Sequence, residues 1–221
     1  FLIHKMKFAS IIVTRNKSCH VKTLHTILRF NLMCLQRGSI ENEVVFVNDD
    51  PFQISEIIHR YMKTHERLFF IDYGIHVDDG SLNMLFENHE GIGCLVLPGV
   101  EEGIDWEMFK NKVNTKSNEP IEQLGLSFDT TVDRNKKISD GIYSVYTTRA
   151  KSWLILSKNV IKHIKDKKTS NFKIFPKIET MFSKFKESGV KIHAYTKAKL
   201  VMTYNHECIS NILNAYGVKS N

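Results

Sequence analysis

Hydrophobic and polar positions alternate in blocks along the first hundred residues. Residues 8–14 (FASIIVT) form an uninterrupted apolar run rich in β-branched side chains, the pattern of a buried strand. Val21, Leu24, Ile27, Leu28, Leu32 and Leu35 then recur at helical spacing, and Gly38 ends that helix. Residues 43–47 (EVVFV) predict a second strand, closing on Asn48-Asp49-Asp50-Pro51, and Ile54, Ile57, Ile58 and Tyr61 mark the next helix. Residues 67–71 (RLFFI) predict a third strand ending at Asp72. A short helix over 81–88 and a fourth strand over 92–97, stopped by Pro98-Gly99, complete the series. Continuous apolar strands joined by amphipathic helices imply a parallel sheet covered on both faces, with ligands beyond the carboxyl ends of its strands.

The second half is less regular. Residues 100–141 are polar and without clear period. Strands are expected over 142–147 and 152–156, and helices over 158–166 and 176–188, the latter stopped by Gly189. Strand-like sequence follows over 190–204, and a terminal helix is expected over 207–215. With no repeat and no linker, the chain reads as one domain over 1–221, with an α/β half (8–100) and a mixed second half (101–221).

Composition narrows the function classes. Among 221 residues, 42% are hydrophobic and there are 14 Phe, 7 Tyr and 2 Trp, which is enough apolar surface for a core and excludes a disordered chain. No apolar run approaches the ~20 residues of a membrane span. Phe1-Leu2-Ile3, followed by His4, Lys5 and Lys7, is too short for the apolar region of a signal peptide. Cys19, Cys34, Cys94 and Cys208 show no metal or redox spacing, so free thiols in a reducing, cytoplasmic setting are expected. The net charge of +7 permits anionic partners, although the dense lysine set over 151–199 has the spacing of solvated helix faces. Gly91-x-Gly93 precedes a strand, so it is no dinucleotide fingerprint, and P-loop, GxSxG and HExxH patterns are absent from the sequence.

The most informative stretch is FFIDYGIHVDDGSLNMLFE, residues 69–87, in which a buried strand delivers Asp72 to the sheet edge ahead of a turn and a helix. A carboxylate so placed can hold a hard divalent cation, which neutralises a diphosphate. Asp78 and Asp79 are read as caps of the helix that follows. The layout resembles the GT-A nucleotide-sugar glycosyltransferases, especially the large inverting family, in which a strand of the type hhhhDxD ends in metal-binding acids. RLFFIDYG matches that strand and its first acid; the second acid is replaced by Gly74.

The resemblance implies an α/β, GT-A-like fold: a mostly parallel central sheet flanked by helices, with a smaller mixed region on the acceptor side. It implies that Thr14, Arg15 and Asn16 of IIVTRN lie near the base and ribose of a nucleotide. Asp49 or Asp50 of VNDD would accept hydrogen bonds from it. It also implies a metal site, Mn²⁺ or Mg²⁺, built on Asp72 and completed by His206 of YNHEC. The late helix, glycine and strand of ETMFSKFKESGVKIHAYTKAKLVMTY are similar to the family's, but its acidic pair falls on Lys177 and Ile178, with Glu179 the nearest acid. In PGVEEGIDWEMF, Glu101 and Trp106 are candidates for sugar or acceptor contacts. Candidates for the base that deprotonates an acceptor hydroxyl are Asp105, Glu102 and Glu179. The same acids also suit the positive end of a helix. The Lys-, Asn- and Ile-rich composition is further similar to that of GT-A-like proteins from large DNA viruses.

The expected activity is therefore transfer of a sugar from a nucleotide-diphosphate donor to a glycan or protein acceptor, with a divalent cation assisting. Gly74 and the displaced acids leave open a non-catalytic GT-A-like module that binds nucleotide or glycan. The net charge leaves open a nucleic-acid-binding protein, although the lysines are not interleaved with stacking aromatics.

Overall fold

The computed structural model describes residues 5–119 and 124–203; the terminal helix expected over 207–215 lies outside them. The element order is β1 (Met6–Thr14), α1 (Val21–Gln36), β2 (Ile40–Asn48), α2 (Pro51–Met62), β3 (Arg67–Ile71), β4 (Ile75–Val77), α3 (Asp79–Asn83) and β5 (Cys94–Val96). Then follow α4 (Trp106–Asn114), β6 (Thr130–Ser139), β7 (Ile142–Thr148), β8 (Ser152–Leu156), α5 (Ser157–Ile164), α6 (Ile178–Glu187), β9 (Ile192–Tyr195) and β10 (Leu200–Met202).

The main sheet has the order β2-β1-β3-β8-β5-β9-β7-β6, and β10 pairs with β4 beside it. β1, β2, β3, β5, β6 and β9 share one direction, and β7 and β8 run against them. The apolar runs over 8–14 and 67–71 become buried central strands, as their uninterrupted hydrophobicity requires. The fourth strand keeps the expected direction, but β8 is inserted between it and β3. That insertion stacks Trp153 flat on Phe70, with ring centroids 4.5 Å apart. Residues 100–141 are not irregular throughout: they supply α4 and the long strand β6. β6 (TTVDRNKKIS) is mostly exposed and pairs with β7 through register shifts, so its sequence carries no apolar period. Helices α2, α5 and α6 cover one face of the sheet, and α1 and α3 the other.

Helix α1 corrects the periodicity reading. Of the apolar series chosen from the sequence, Ile27 is buried, whereas Val21, Leu24, Leu28, Leu32 and Leu35 are exposed, Leu28 by 61%. The buried face is instead Thr23, Thr26, Ile27, Phe30, Met33 and Cys34. The reason is polar. The Thr23 hydroxyl accepts the amides of Gly74 and Ile75 at 3.0 and 3.2 Å, and the Thr26 hydroxyl accepts the Val77 amide at 3.0 Å. Buried backbone donors must be satisfied, and this demand rotates the helix so that the threonines face the β4 segment. Among the described residues, no helix is long and apolar enough to cross a membrane.

Thr23→Val keeps shape and removes the acceptor of two buried amides. It is expected to lower unfolding stability by about 1–3 kcal/mol, whereas Leu28→Ser changes it by less than about 0.5 kcal/mol. Denaturant titration of both variants checks this; equal losses would show that the apolar stripe is the packed face.

Candidate active site

The carboxyl ends of β1, β2 and β3 lie side by side, with Ile12 opposite Ile71 and Thr14 opposite Asn48. Each strand hands its next residues to the same rim. After β1, Arg15 and Ser18 close a tight turn through paired backbone hydrogen bonds, with Asn16 and Lys17 in the left-handed region between them. After β2, Asp49 reaches back, and the Arg15 Nε donates to it at 2.8 Å. After β3, Asp72 is half-buried; its amide donates to the Lys151 carbonyl, and its carboxylate accepts the Tyr73 amide at 2.7 Å. The Arg15 guanidinium also lies over the Tyr73 ring, 5.2 Å from its centroid, and His20 meets that ring edge-on.

Burial pushes the Asp72 carboxyl above its ordinary value. The Tyr73 amide and the charges of Arg15 and Lys151 oppose that shift, and nearby Asp49 adds to it. Arg15, His20, Tyr73, Ile75, Glu102, Lys151, Met202 and Thr203 line a narrow cavity of about 50 Å³. Asp72 is not among the lining side chains; Tyr73, which donates to its carboxylate, and Arg15 and Lys151, whose charges act on it, are. The cavity is far smaller than the roughly 300–1,000 Å³ of ligand pockets, so a nucleotide requires the lining to part. The Arg15–Asp49 pair is exposed, so Arg15 is free to move with the lining.

The other expected site residues have these positions. The Thr14 hydroxyl is buried and donates to the Val47 carbonyl at 3.0 Å. Asp50 caps α2 by accepting the Phe52 and Gln53 amides. Asp105 caps α4 by accepting the Met108 amide at 2.8 Å, and with Glu107 and Lys112 lines a separate surface groove. Trp106 is 61% exposed and meets Phe109 edge-on, outside the core. Glu101 pairs with Arg149 at 2.5 Å. Glu179, in the first turn of α6, lines another groove with Tyr146 and Lys186. Of the three candidate bases, Glu102 alone shares the cavity with Arg15 and Lys151. His206 lies outside the described residues.

The metal expectation was tested on the ligands. Among the described residues, no group of three or more His, Cys, Asp or Glu is placed to hold an ion. Gly74, at the position of the second acid, has φ +80°, and a Cβ there would lie 3.0 Å from the Thr203 carbonyl oxygen. A carboxylate at that position would need a strained backbone and a shift of Thr203. The described residues thus supply Asp72 and the Arg15-paired Asp49 at this rim, beside two cations, and do not by themselves build a three-ligand divalent-ion site.

Sequence reasoning missed Lys151 and Asp129. The Gly99 amide donates to Asp129 at 3.1 Å and the Thr130 hydroxyl at 2.8 Å. Burial still pushes its carboxyl above the ordinary value, while the Lys151 amide nearby works the other way, with the two hydrogen bonds. Asp129 precedes the unrecognised strand β6, and Lys151 precedes β8, whose insertion beside β3 had no signal in the chain.

No protein-family model matches the chain, and no curated protein matches it at significance. Among solved structures, GalNAc-T7 with UDP, GalNAc and Mn²⁺ is similar with a TM-score of 0.51 and 11% identity, over 92% of this chain and 45% of that one. The fold is GT-A-like. This chain thus spans about half the length of that neighbour. Weaker likenesses are a Bacillus anthracis protein described as a glucose-1-phosphate thymidylyltransferase (TM-score 0.44, 12% identity, 97% of this chain and 96% of that one). Another is a 4-diphosphocytidyl-2C-methyl-D-erythritol synthase from Anaerococcus prevotii (TM-score 0.39, 13% identity, 98% and 100%). In a GT-A-like sheet the rim after the first three strands is where Arg15, Asp49 and Asp72 converge here.

Two outcomes follow. Gly74→Asp is expected to cost about 1–2 kcal/mol from the left-handed backbone alone and to add no Mn²⁺ affinity; calorimetry showing tighter Mn²⁺ binding would contradict the absence of a built metal site among the described residues. For Asp129 the sign is fixed by the raised folded-state value. The folded chain holds this proton to higher pH than the unfolded chain, so ionisation subtracts stability as pH climbs from about 4. Wild-type stability should therefore fall relative to Asp129→Asn between about pH 4 and neutrality, measured by denaturation at several pH values; a constant gap would contradict it.

Proposed function

We propose that the chain is a glycosyltransferase that takes its sugar from a nucleotide-diphosphate donor and passes it to a glycan or protein acceptor. The observation that carries this reading is the convergence of Arg15 and Lys151 on Asp72 at the rim of a GT-A-like sheet. The barrier to transfer is negative charge growing on the departing diphosphate. Arg15 offsets that charge when it leaves Asp49 for the phosphates, and Lys151 does so from the same cavity lining. Asp49, once released, accepts hydrogen bonds from the ribose or base. Asp72 attracts both cations and fixes the Tyr73 backbone.

In the inverting form of the reaction, the acceptor oxygen bonds to the anomeric carbon as the bond from that carbon to the phosphate oxygen breaks. Glu102 takes the acceptor proton, since it shares the cavity with both cations. Asp105 and Glu179 are the second and third choices because they line other grooves. Charge compensation is assigned to the two basic side chains because the described residues place no group of three or more metal-ligating side chains at Asp72. A non-catalytic nucleotide-binding module is the second reading, favoured by Gly74 at the second-acid position and by Asp105 and Glu179 lying in other grooves.

Calorimetric titration with UDP and GDP, each with and without EDTA, tests the first reading. Binding should survive chelation, and Arg15→Ala should weaken it about tenfold, the equivalent of about 1.4 kcal/mol. Glu102→Gln should leave binding intact and abolish donor hydrolysis across a panel of nucleotide sugars. Absence of binding at millimolar nucleotide would remove the proposal, and binding without hydrolysis in the unmodified chain would favour the module.

A further inference from the structure

A second concave site lies at the other end of the sheet. It sits where β5 and β9 begin, whereas Asp72 lies where β3, running the same way, ends. The cavity has a volume of about 640 Å³, within the range of small-molecule pockets. Its floor is formed by two histidines that are almost wholly enclosed, His89 (5% exposed) and His193 (6%). His89 Nε2 faces the Met84 carbonyl at 2.7 Å. A carbonyl only accepts, so Nε2 carries the proton and Nδ1 of the neutral ring offers its lone pair. His193 projects from β9, and its buried Nδ1 has no hydrogen-bond partner. Burial, Lys191 and the neighbouring His89 all favour its neutral form. Buried polar atoms are nearly always paired, so this solvent-shielded, unpartnered Nδ1 marks an incomplete polar site beside the cavity that the His193 ring lines.

The rim is cationic. Lys136 and Lys137 come from β6 and Lys191 from the residue before β9, and Glu90 is the opposing charge in the lining. Lys136 is shared with Asp133 at 3.4 Å. Ser144, opposite His193 on β7, adds a hydroxyl, and Ile92, Ile138 and Ile142 form an apolar wall. Ammonium groups bind phosphate as point charges, and imidazole and hydroxyl groups supply directional contacts.

We propose that this cavity binds the phosphate group of a small phosphate ester, with Lys137 and Lys191 holding the charge, His193 and Ser144 orienting it, and the isoleucines receiving the organic portion. The site is separate from the nucleotide rim and stands or falls independently of the transferase reading.

The test uses the full chain with ¹³C-labelled histidine and phenyl phosphate as probe, followed through the histidine Cε1–H signals. His89 and His193 should shift saturably, and inorganic phosphate should move the same signals at higher concentration because it lacks the apolar portion. The double variant Lys137→Ala, Lys191→Ala, altered at two exposed positions, should weaken binding about tenfold, while Asp72→Asn should leave it unchanged. His193→Gln should weaken binding with the other histidine signals in place, which reports an intact fold. Absence of a saturable shift at His89 and His193, or equal affinity in the double lysine variant, would overturn the proposal. Loss of binding on Asp72→Asn would also overturn it, by showing that the phosphate sits at the other rim.

Discussion

The geometry of the candidate site rests on two threonine hydroxyls. Thr23 donates to the Asp72 carbonyl at 3.4 Å while accepting two amides of the turn that follows, and Thr26 accepts the next at Val77. A short segment leaving a central strand has no neighbouring strand to satisfy its backbone on that side, and an unpaired buried amide is costly. Helix α1 meets this demand by turning its threonines inward. The Asp72 carboxylate is thereby fixed at the rim, and Gly74 takes the left-handed conformation that lets Thr203 approach. The same demand explains why the helix leaves a row of leucines in solvent.

Electrostatics then decides what the rim can do. A half-buried carboxylate would tend to hold its proton, yet Arg15 and Lys151 both bring positive charge to it. With Asp49 and Asp72 ionised, the two cations and two acids are balanced, so an incoming anion competes with Asp49 for the Arg15 guanidinium. In a water-poor cleft such preorganised charges act more strongly than in solvent. This is the physical ground for assigning leaving-group stabilisation to side chains where the described residues do not build an ion site.

Much of the α/β half was legible in the chain because its signals are local. FASIIVT and RLFFI are continuous apolar runs that only a doubly covered strand can bury, and Asp50-Pro51 marks the start of α2 through a cap and a fixed φ. Asp72 could be placed at a strand end for the same reason. Other features depend on pairings across the fold. β8 is placed by its pairing with β3 and β5, which stacks Trp153 on Phe70, and β6 hides behind its lysines and asparagine because its outer edge and most of its face meet water. In α1, helical periodicity chose the wrong face, because hydrophobicity alone cannot register a backbone that needs hydroxyl acceptors. For the site, strand ends supplied Arg15, Asp49 and Asp72, while Lys151 and Asp129 come from loops whose positions only the folded sheet defines.

The central claim is that the rim shared by β1, β2 and β3 receives a nucleoside diphosphate between Arg15 and Lys151. Backbone amide spectra of the ¹⁵N-labelled chain recorded during addition of UDP address it most directly. The account predicts that the largest shifts cluster at Arg15, Asp49, Tyr73, Glu102 and Lys151, with the amides around His193 unmoved. Shifts centred away from these residues, or a spectrum unchanged by the nucleotide, would contradict it.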